Sequence, residues 1–233
     1  MGQSSRKDGV APNLAGWDHL PLASLLAERL PLPIIIDSDR NACVKGEAWQ
    51  GSGRGIRDLV FLAVGTGIGA GILADGRLLH GVDDLSGAVG WLALDPRYQN
   101  AYARMGCFEA EASGQSLGRK ASERFAPGTG EAISGRQVVE AAESGNGQAR
   151  KLLDEVATYI GMGVANLIST LNPEMIVLGG GLFQSGEYLL GRVVAEFPRW
   201  AQPIAAQRVK VVRSVLGDSA GLLGAARIAL DHI

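Results

Sequence analysis

Glycine occupies every second position in Gly65-Thr66-Gly67-Ile68-Gly69-Ala70-Gly71. With no side chains on that face, backbone N–H groups can approach an anionic ligand closely, and the Thr66 hydroxyl stands in the same curve. A dinucleotide fingerprint needs G-x-G-x-x-G opening a helix, whereas position 70 is alanine and the next segment reads as a strand. A Walker loop needs a Gly-Lys-Ser/Thr ending, which is absent. Two readings remain: a phosphate-accepting loop between strands, or a glycine-rich hairpin whose small residues only permit close strand packing.

Three further stretches carry chemistry. Asp37-Ser38-Asp39-Arg40-Asn41 follows an apolar run, and open α/β sheets place their ligands at the carboxyl ends of such strands. Taken alone, Asp39 or Asn41 reads better as a helix cap. Glu109, Glu111, Ser113 and Ser116 sit near the start of a helical pattern, where carboxylates also simply favour a helix N-terminus. Gly179-Gly180-Gly181 lies between a strand and a helix, either under a flat ligand such as a nucleotide or as a tight turn.

Elements that could position these groups follow from the periodicity. Leu59–Val64 and Ile72–Ala74 are short apolar runs flanking the glycine loop, and Asp75-Gly76 signals a tight hairpin turn. Leu20–Leu30 reads as an amphipathic helix, Ile34–Ile36 as a short buried strand, and Ala42–Gln50 as a helix. Trp91–Leu94 reads as another strand, and Cys107–Phe125 as one helix. A helix starts at Ser134 or Gly135, and a long helix from about Gln148 to Leu171 is apolar nearly all round at its centre. Met175–Leu178 and Val209–Val212 read as strands, with a helix over 186–197 between them and a last helix after Gly217.

The 233 residues suffice for one large or two small domains with a hydrophobic core. A net charge of −2 gives no electrostatic footprint for nucleic acid, and no apolar run approaches a membrane span. Two cysteines fit a reducing cytoplasm better than a disulfide scaffold, and three scattered histidines give no zinc-ligand spacing.

Four segments in order resemble the ROK family of sugar kinases and sugar-responsive repressors: Asp39-Arg40-Asn41-Ala42 with Glu47; Gly65–Gly71; Gly106-Cys107-Phe108-Glu109 with Ser113; and Leu178-Gly179-Gly180-Gly181. The resemblance runs from Gly9 to the C-terminus, closing on the glycine–alanine helix around Ala220–Ala226. It implies an α/β, actin-like ATPase (ribonuclease H-like) fold, with a remnant of the N-terminal lobe over 1–58 and a C-terminal lobe over 59–233. By the same resemblance Asp39 is the catalytic base, taking the proton of a sugar hydroxyl as it attacks the γ-phosphate of ATP. Gly65, Thr66 and Gly67 hold the phosphates, with Mg²⁺ neutralising charge, and Gly179, Gly180 and Gly181 lie against the adenosine. Ser38, Asn41, Glu109 and Trp91 are the implied sugar contacts. A homodimer is implied by the resemblance as well, and the charge, the absence of an apolar span and the two cysteines lead to the expectation of a cytoplasmic chain that binds neither nucleic acid nor membrane.

The sequence departs from the family pattern in four places. The family's opening Asp-x-Gly-Gly-Thr phosphate loop has no counterpart here, so the first lobe is expected to be incomplete. Ser38 replaces the usual asparagine before the base. The family's Gly-Glu-x-Gly-His becomes Gly87-Ala88-Val89-Gly90-Trp91. Asn100 and Tyr102 stand where the first two zinc cysteines would be, leaving Cys107, so no zinc is expected. Three functions are compatible with this pattern: a working hexose kinase, a binder of sugar or nucleotide without turnover, or the effector part of a repressor.

Overall fold

The computed structural model describes residues 20–184 and 186–232. Two compact units divide between Ser38 and Asp39. The loop expected over Pro12–Trp17 lies outside the described residues.

Within the first unit, helix α1 spans Leu22–Ala27, shorter than the expected Leu20–Leu30, and buries none of its residues. The Ile34–Ile36 run is not a strand. Its backbone is irregular and Ile35 is 37 % exposed. Three β-branched residues favour extended backbone, but a strand exists only when a neighbour completes its hydrogen bonds, and none pairs with these among the described residues.

The second unit opens on helix α2 (Asp39–Gln50) and is built on a five-stranded sheet. Its strands are β1 (Leu59–Val64), β2 (Ile68–Ala74), β3 (Arg77–Leu78), β4 (Met175–Gly179) and β5 (Lys210–Arg213), in the order β3-β2-β1-β4-β5. Strands β1, β2 and β3 are antiparallel neighbours, and β4 and β5 add in parallel, the ribonuclease H-like arrangement. The β2–β3 turn has positive φ at both Asp75 (50°) and Gly76 (75°), as a primed two-residue turn requires.

Alternate residues of the sheet face opposite ways, and helices cover both faces. Val60, Leu62, Ile72, Ile176 and Leu178 join the larger core beneath α4 (Cys107–Ala112), α5 (Gly114–Phe125), α6 (Gly135–Glu143), α7 (Gly147–Leu171) and α8 (Tyr188–Glu196). Leu59, Phe61, Leu73, Met175 and Val177 face the other way, against Val44 of α2. Helix α2 also packs along the last helix, α10 (Ser219–Leu230). That packing joins α2 to the sheet and α10, so the second compact unit begins at Asp39.

Two other expectations change. Trp91–Leu94 is not a strand: Val89–Trp91 forms a 3₁₀ turn and the next residues are irregular. Its backbone groups are used locally, with the Trp91 N–H donating to Ala88 O and the Leu92 carbonyl accepting from Phe108 N–H. The single helix expected over Cys107–Phe125 is two, α4 and α5, because Ser113 turns extended and its Oγ caps α5 by accepting from Ser116 N–H at 3.2 Å. Two short helices, α3 (Tyr102–Met105) and α9 (Pro203–Arg208), were not anticipated.

Candidate active site

The glycine loop joins β1 to β2, as its flanking runs required. Gly65 N–H donates to Gly67 O at 3.0 Å, and Gly65 O accepts from the first residue of α5, Gly114 N–H, at 2.7 Å. Among the described residues the N–H groups of Thr66 and Gly67 have no acceptor, and Thr66 is exposed. Two donors of the loop are thus left without a protein acceptor while Gly65 is held at both its N–H and its carbonyl, and unpaired backbone donors are what an anion site needs.

The four alternating glycines serve two purposes. Gly69 and Gly71 lie inside β2 and face helix α2. A Cβ on Gly71 would overlap the Arg40 carbonyl oxygen, and one on Gly69 would overlap the Arg40 stem. Only Gly65 and Gly67 stay with the loop, so the anion-facing part is shorter than the sequence pattern suggested.

Glu109 comes to the same place from α4. Its Oε2 accepts from Ile68 N–H at 2.7 Å, immediately after the loop. A Cβ on Gly67 would stand 2.7 Å from that oxygen, and one on Gly90 would stand 3.1 Å from both Glu109 Cβ and Oε2. The carboxylate is therefore seated between Gly67 and Gly90, and Trp91 beside Gly90 leaves its indole 58 % exposed. Gly67 and Glu109 thus form one edge, with Gly90 behind the carboxylate.

Asp39 is the first residue of α2, exposed, with its Oδ1 accepting from Arg40 N–H at 2.8 Å. Asn41 is buried, only 5 % exposed. Ser38 belongs to the first compact unit, described separately above. Glu47, on the same helix as Asp39, is fully buried and accepts from Ser52 N–H at 2.7 Å and from the Ser214 hydroxyl. These bonds tie α2 to the segment after β5.

The triple glycine follows β4 as expected. Gly180 takes φ of 85° where its backbone crosses Val64, a contact that leaves no room for a Cβ. A cavity of about 540 Å³ opens beside it, lined by Gly65, Thr66, Gly114, Ser134, Gly181 and Asp218 among others. The N-termini of α5 and α6 both border this cavity, each bringing the positive end of a helix dipole. Ser134 caps α6 in a capping box with Gln137, a signal present in the sequence. Arg136 Nη2 donates to Gln184 Oε1 at 3.2 Å, and Gln184 in turn donates to Asp218, forming a polar rim from α6 to α10. Neither the α5–α6 contribution nor that rim was legible beforehand, and the rim joins side chains 48 and 34 residues apart.

A second cluster borders α4 on its opposite side. Lys120 Nζ lies 2.7 Å from Glu111 Oε2, Tyr102 OH donates to Glu111 Oε1 at 2.7 Å, and Leu94 N–H reaches Cys107 Sγ at 3.4 Å. Burial raises the Glu111 pKa, but the hydrogen bonds from Lys120 and Tyr102 outweigh it and hold the carboxyl below its usual value. Burial and the neighbouring Glu111 push the Tyr102 hydroxyl far up, so it remains a donor. A depressed folded-state pKa gives stability that is present above the unfolded value and lost as pH falls through the folded one. Replacing Lys120 by Met leaves the carboxylate without its cation and raises that pKa. The expected loss is about 2 kcal/mol at pH 7, narrowing as pH falls and the freed carboxyl takes up a proton. Urea unfolding at pH 7 and pH 4.5 checks this, and an equal loss at both would contradict it.

With this geometry in view, comparison with known proteins places the chain in a family. The ROK family model matches residues 5–232, and the chain belongs to the ROK family. Its sheet and helices have the actin-like ATPase fold of the ROK hexokinases. The chain is 33% identical over 221 residues to a glucokinase of Halalkalibacterium halodurans, covering 90% of this chain and 67% of that one. The ROK hexokinase structure from Thermus thermophilus superposes with a TM-score of 0.84 at 30% identity, covering 97% of this chain and 75% of that chain. A ROK family glucokinase from Streptomyces griseus, solved in complex with glucose and AMPPNP, gives a TM-score of 0.82 at 32% identity over 95% of this chain and 76% of that one.

Proposed function

We propose that this chain transfers the γ-phosphoryl group of ATP to a hydroxyl of a hexose or hexose derivative. The observation that carries this reading is the juxtaposition at the β1–β2 loop. The unpaired N–H groups of Thr66 and Gly67 adjoin a carboxylate, Glu109, that is fixed on Ile68 N–H, and a cavity bordered by two helix N-termini opens alongside. Anion-holding and hydroxyl-holding groups thus stand side by side, as phosphoryl transfer to a sugar needs. The glucose and AMPPNP found with the Streptomyces relative support the same pair of ligands.

In this reading Gly65, Thr66 and Gly67 take the phosphates, and Gly179, Gly180 and Gly181 border the nucleoside. Asp39 accepts the proton of the attacking hydroxyl; Glu109, with Asn41 and Trp91, orients the sugar. Mg²⁺ accompanies the nucleotide and supplies charge neutralisation at the phosphates. The proposal includes no zinc, because Asn100 and Tyr102 stand where the family's first two zinc cysteines would be. No helix among the described residues is long and apolar enough to cross a membrane. A cytoplasmic homodimer acting without nucleic acid completes the proposal, on the family resemblance and the net charge of −2.

A second reading, sugar binding without turnover, draws on Ala88 and Trp91 standing where the family keeps a glutamate and a histidine. Each lost hydrogen-bonding group costs roughly 1–3 kcal/mol in recognition. ADP release from Mg-ATP across a panel of hexoses and N-acetylhexosamines separates the two. Sugar-dependent release that is lost in Glu109→Gln supports the kinase. Saturable sugar binding with no ADP release supports the binder.

A further inference from the structure

We propose that Arg40 is a positioning residue that clamps the start of α2, strand β2 and the 87–91 loop into one geometry. The inference rests on the reading of Asp39 as the base. Arg40 Nη1 donates to Gly87 O at 3.1 Å, and that same carbonyl accepts from Ala70 N–H of β2 at 2.8 Å. The Arg40 stem lies in the space that the absent Cβ of Gly69 leaves open, and the Arg40 carbonyl oxygen fills the corresponding space over Gly71. Gly69 and Gly71 therefore form a seat for this one residue, side chain and main chain together.

The three segments that meet at Arg40 each carry part of the proposed chemistry. Asp39 precedes it directly, with a carboxylate held on the Arg40 N–H at 2.8 Å. Strand β2 begins one residue past the glycine loop, where Ile68 N–H fixes Glu109. The loop from Gly87 reaches Gly90, which backs on Glu109, and then the exposed indole of Trp91. One guanidinium thus sets the base, the phosphate loop and the sugar-facing loop relative to each other. A planar fork on a packed stem holds such a geometry, whereas a lysine presents a flexible point charge.

The test compares wild type, Arg40→Met and Arg40→Lys by amide hydrogen exchange and by turnover with Mg-ATP and the best hexose of the panel. In Arg40→Met, exchange over residues 87–91 is expected to quicken at least tenfold while α7 is unaffected. Its kcat is expected to fall at least tenfold with the KM for ATP within twofold, and Arg40→Lys should lie between. Exchange within twofold of wild type in Arg40→Met overturns the clamp. Faster exchange with unchanged kcat overturns its role in positioning. If Arg40→Met loses its cooperative unfolding transition, Arg40→Lys is judged by the same two criteria. A wild type that turns over no hexose overturns the base reading and the positioning role together, and the exchange result then separately decides whether the clamp exists.

Discussion

Asp39→Asn is expected to lower kcat by roughly 10²–10⁴-fold, the range a positioned general base contributes. The substitution isolates the proton acceptor well. Asparagine matches aspartate in size and retains an Oδ1 that can accept from the Arg40 N–H, as Asp39 does at 2.8 Å. Asp39 is exposed at the first position of α2, so little packing changes and the unfolding free energy should change by less than about 0.5 kcal/mol. Nucleotide binding should be retained, because the unpaired N–H groups of Thr66 and Gly67 belong to a different segment. The measurement is steady-state ADP release alongside Mg-ATP titration of the same preparation. A variant with full kcat would remove Asp39 from the chemistry, and one that also lost nucleotide affinity would place it in binding instead.

Gly224→Val is expected to cost about 3 kcal/mol or more in global stability. Helices α2 and α10 meet through two glycines. A Cβ on Gly224 would overlap the Ala42 carbonyl oxygen, and one on Gly46 would overlap that of Ala220. The obstructing atoms are backbone, which cannot swing aside as a long side chain could, so the helices must separate. Separation would also strain the contact of Lys45 Nζ with Asp231 Oδ2 at 2.7 Å. Gly221→Ala on the same helix is the control. Its Cβ would find only Cys43 Sγ at 3.8 Å, an ordinary contact, so it should gain ~0.5–1 kcal/mol from helix propensity. Chemical denaturation of both variants reads the contrast. Equal behaviour would show that the close crossing does not exist in solution.

The stretches that were legible in the sequence are those whose meaning is local. The β1–loop–β2 unit, the Asp75-Gly76 turn, the Ser134 cap and the buried α7 each depend on neighbours within a few residues. Short apolar runs were not legible, because three or four residues fit a strand, a 3₁₀ turn or irregular backbone equally well. Ile34–Ile36 and Trp91–Leu94 were settled by whether a partner strand lay beside them, a fact about distant chain. The glycines show the same limit. Position alone could not tell that Gly65 and Gly67 shape a loop while Gly69 and Gly71 make room for Arg40. Glu109 was found through resemblance, yet the partner that fixes it, Ile68 N–H, is 41 residues away. Arg40 gave no signal at all, since an arginine in a helical first turn is ordinary until its reach to Gly87 is seen.

The α2–α10 crossing also orders events in time. A chain emerging from the ribosome delivers α2 well before α10, and Lys45 must wait for Asp231, 186 residues later. Until then the face of α2 that carries Gly46 is open, and the helix that bears Asp39 lacks the neighbour along which it packs. Such late long-range closure slows folding and leaves the nascent chain exposed. The proposed base, among the first described residues to be synthesised, is seated by nearly the last.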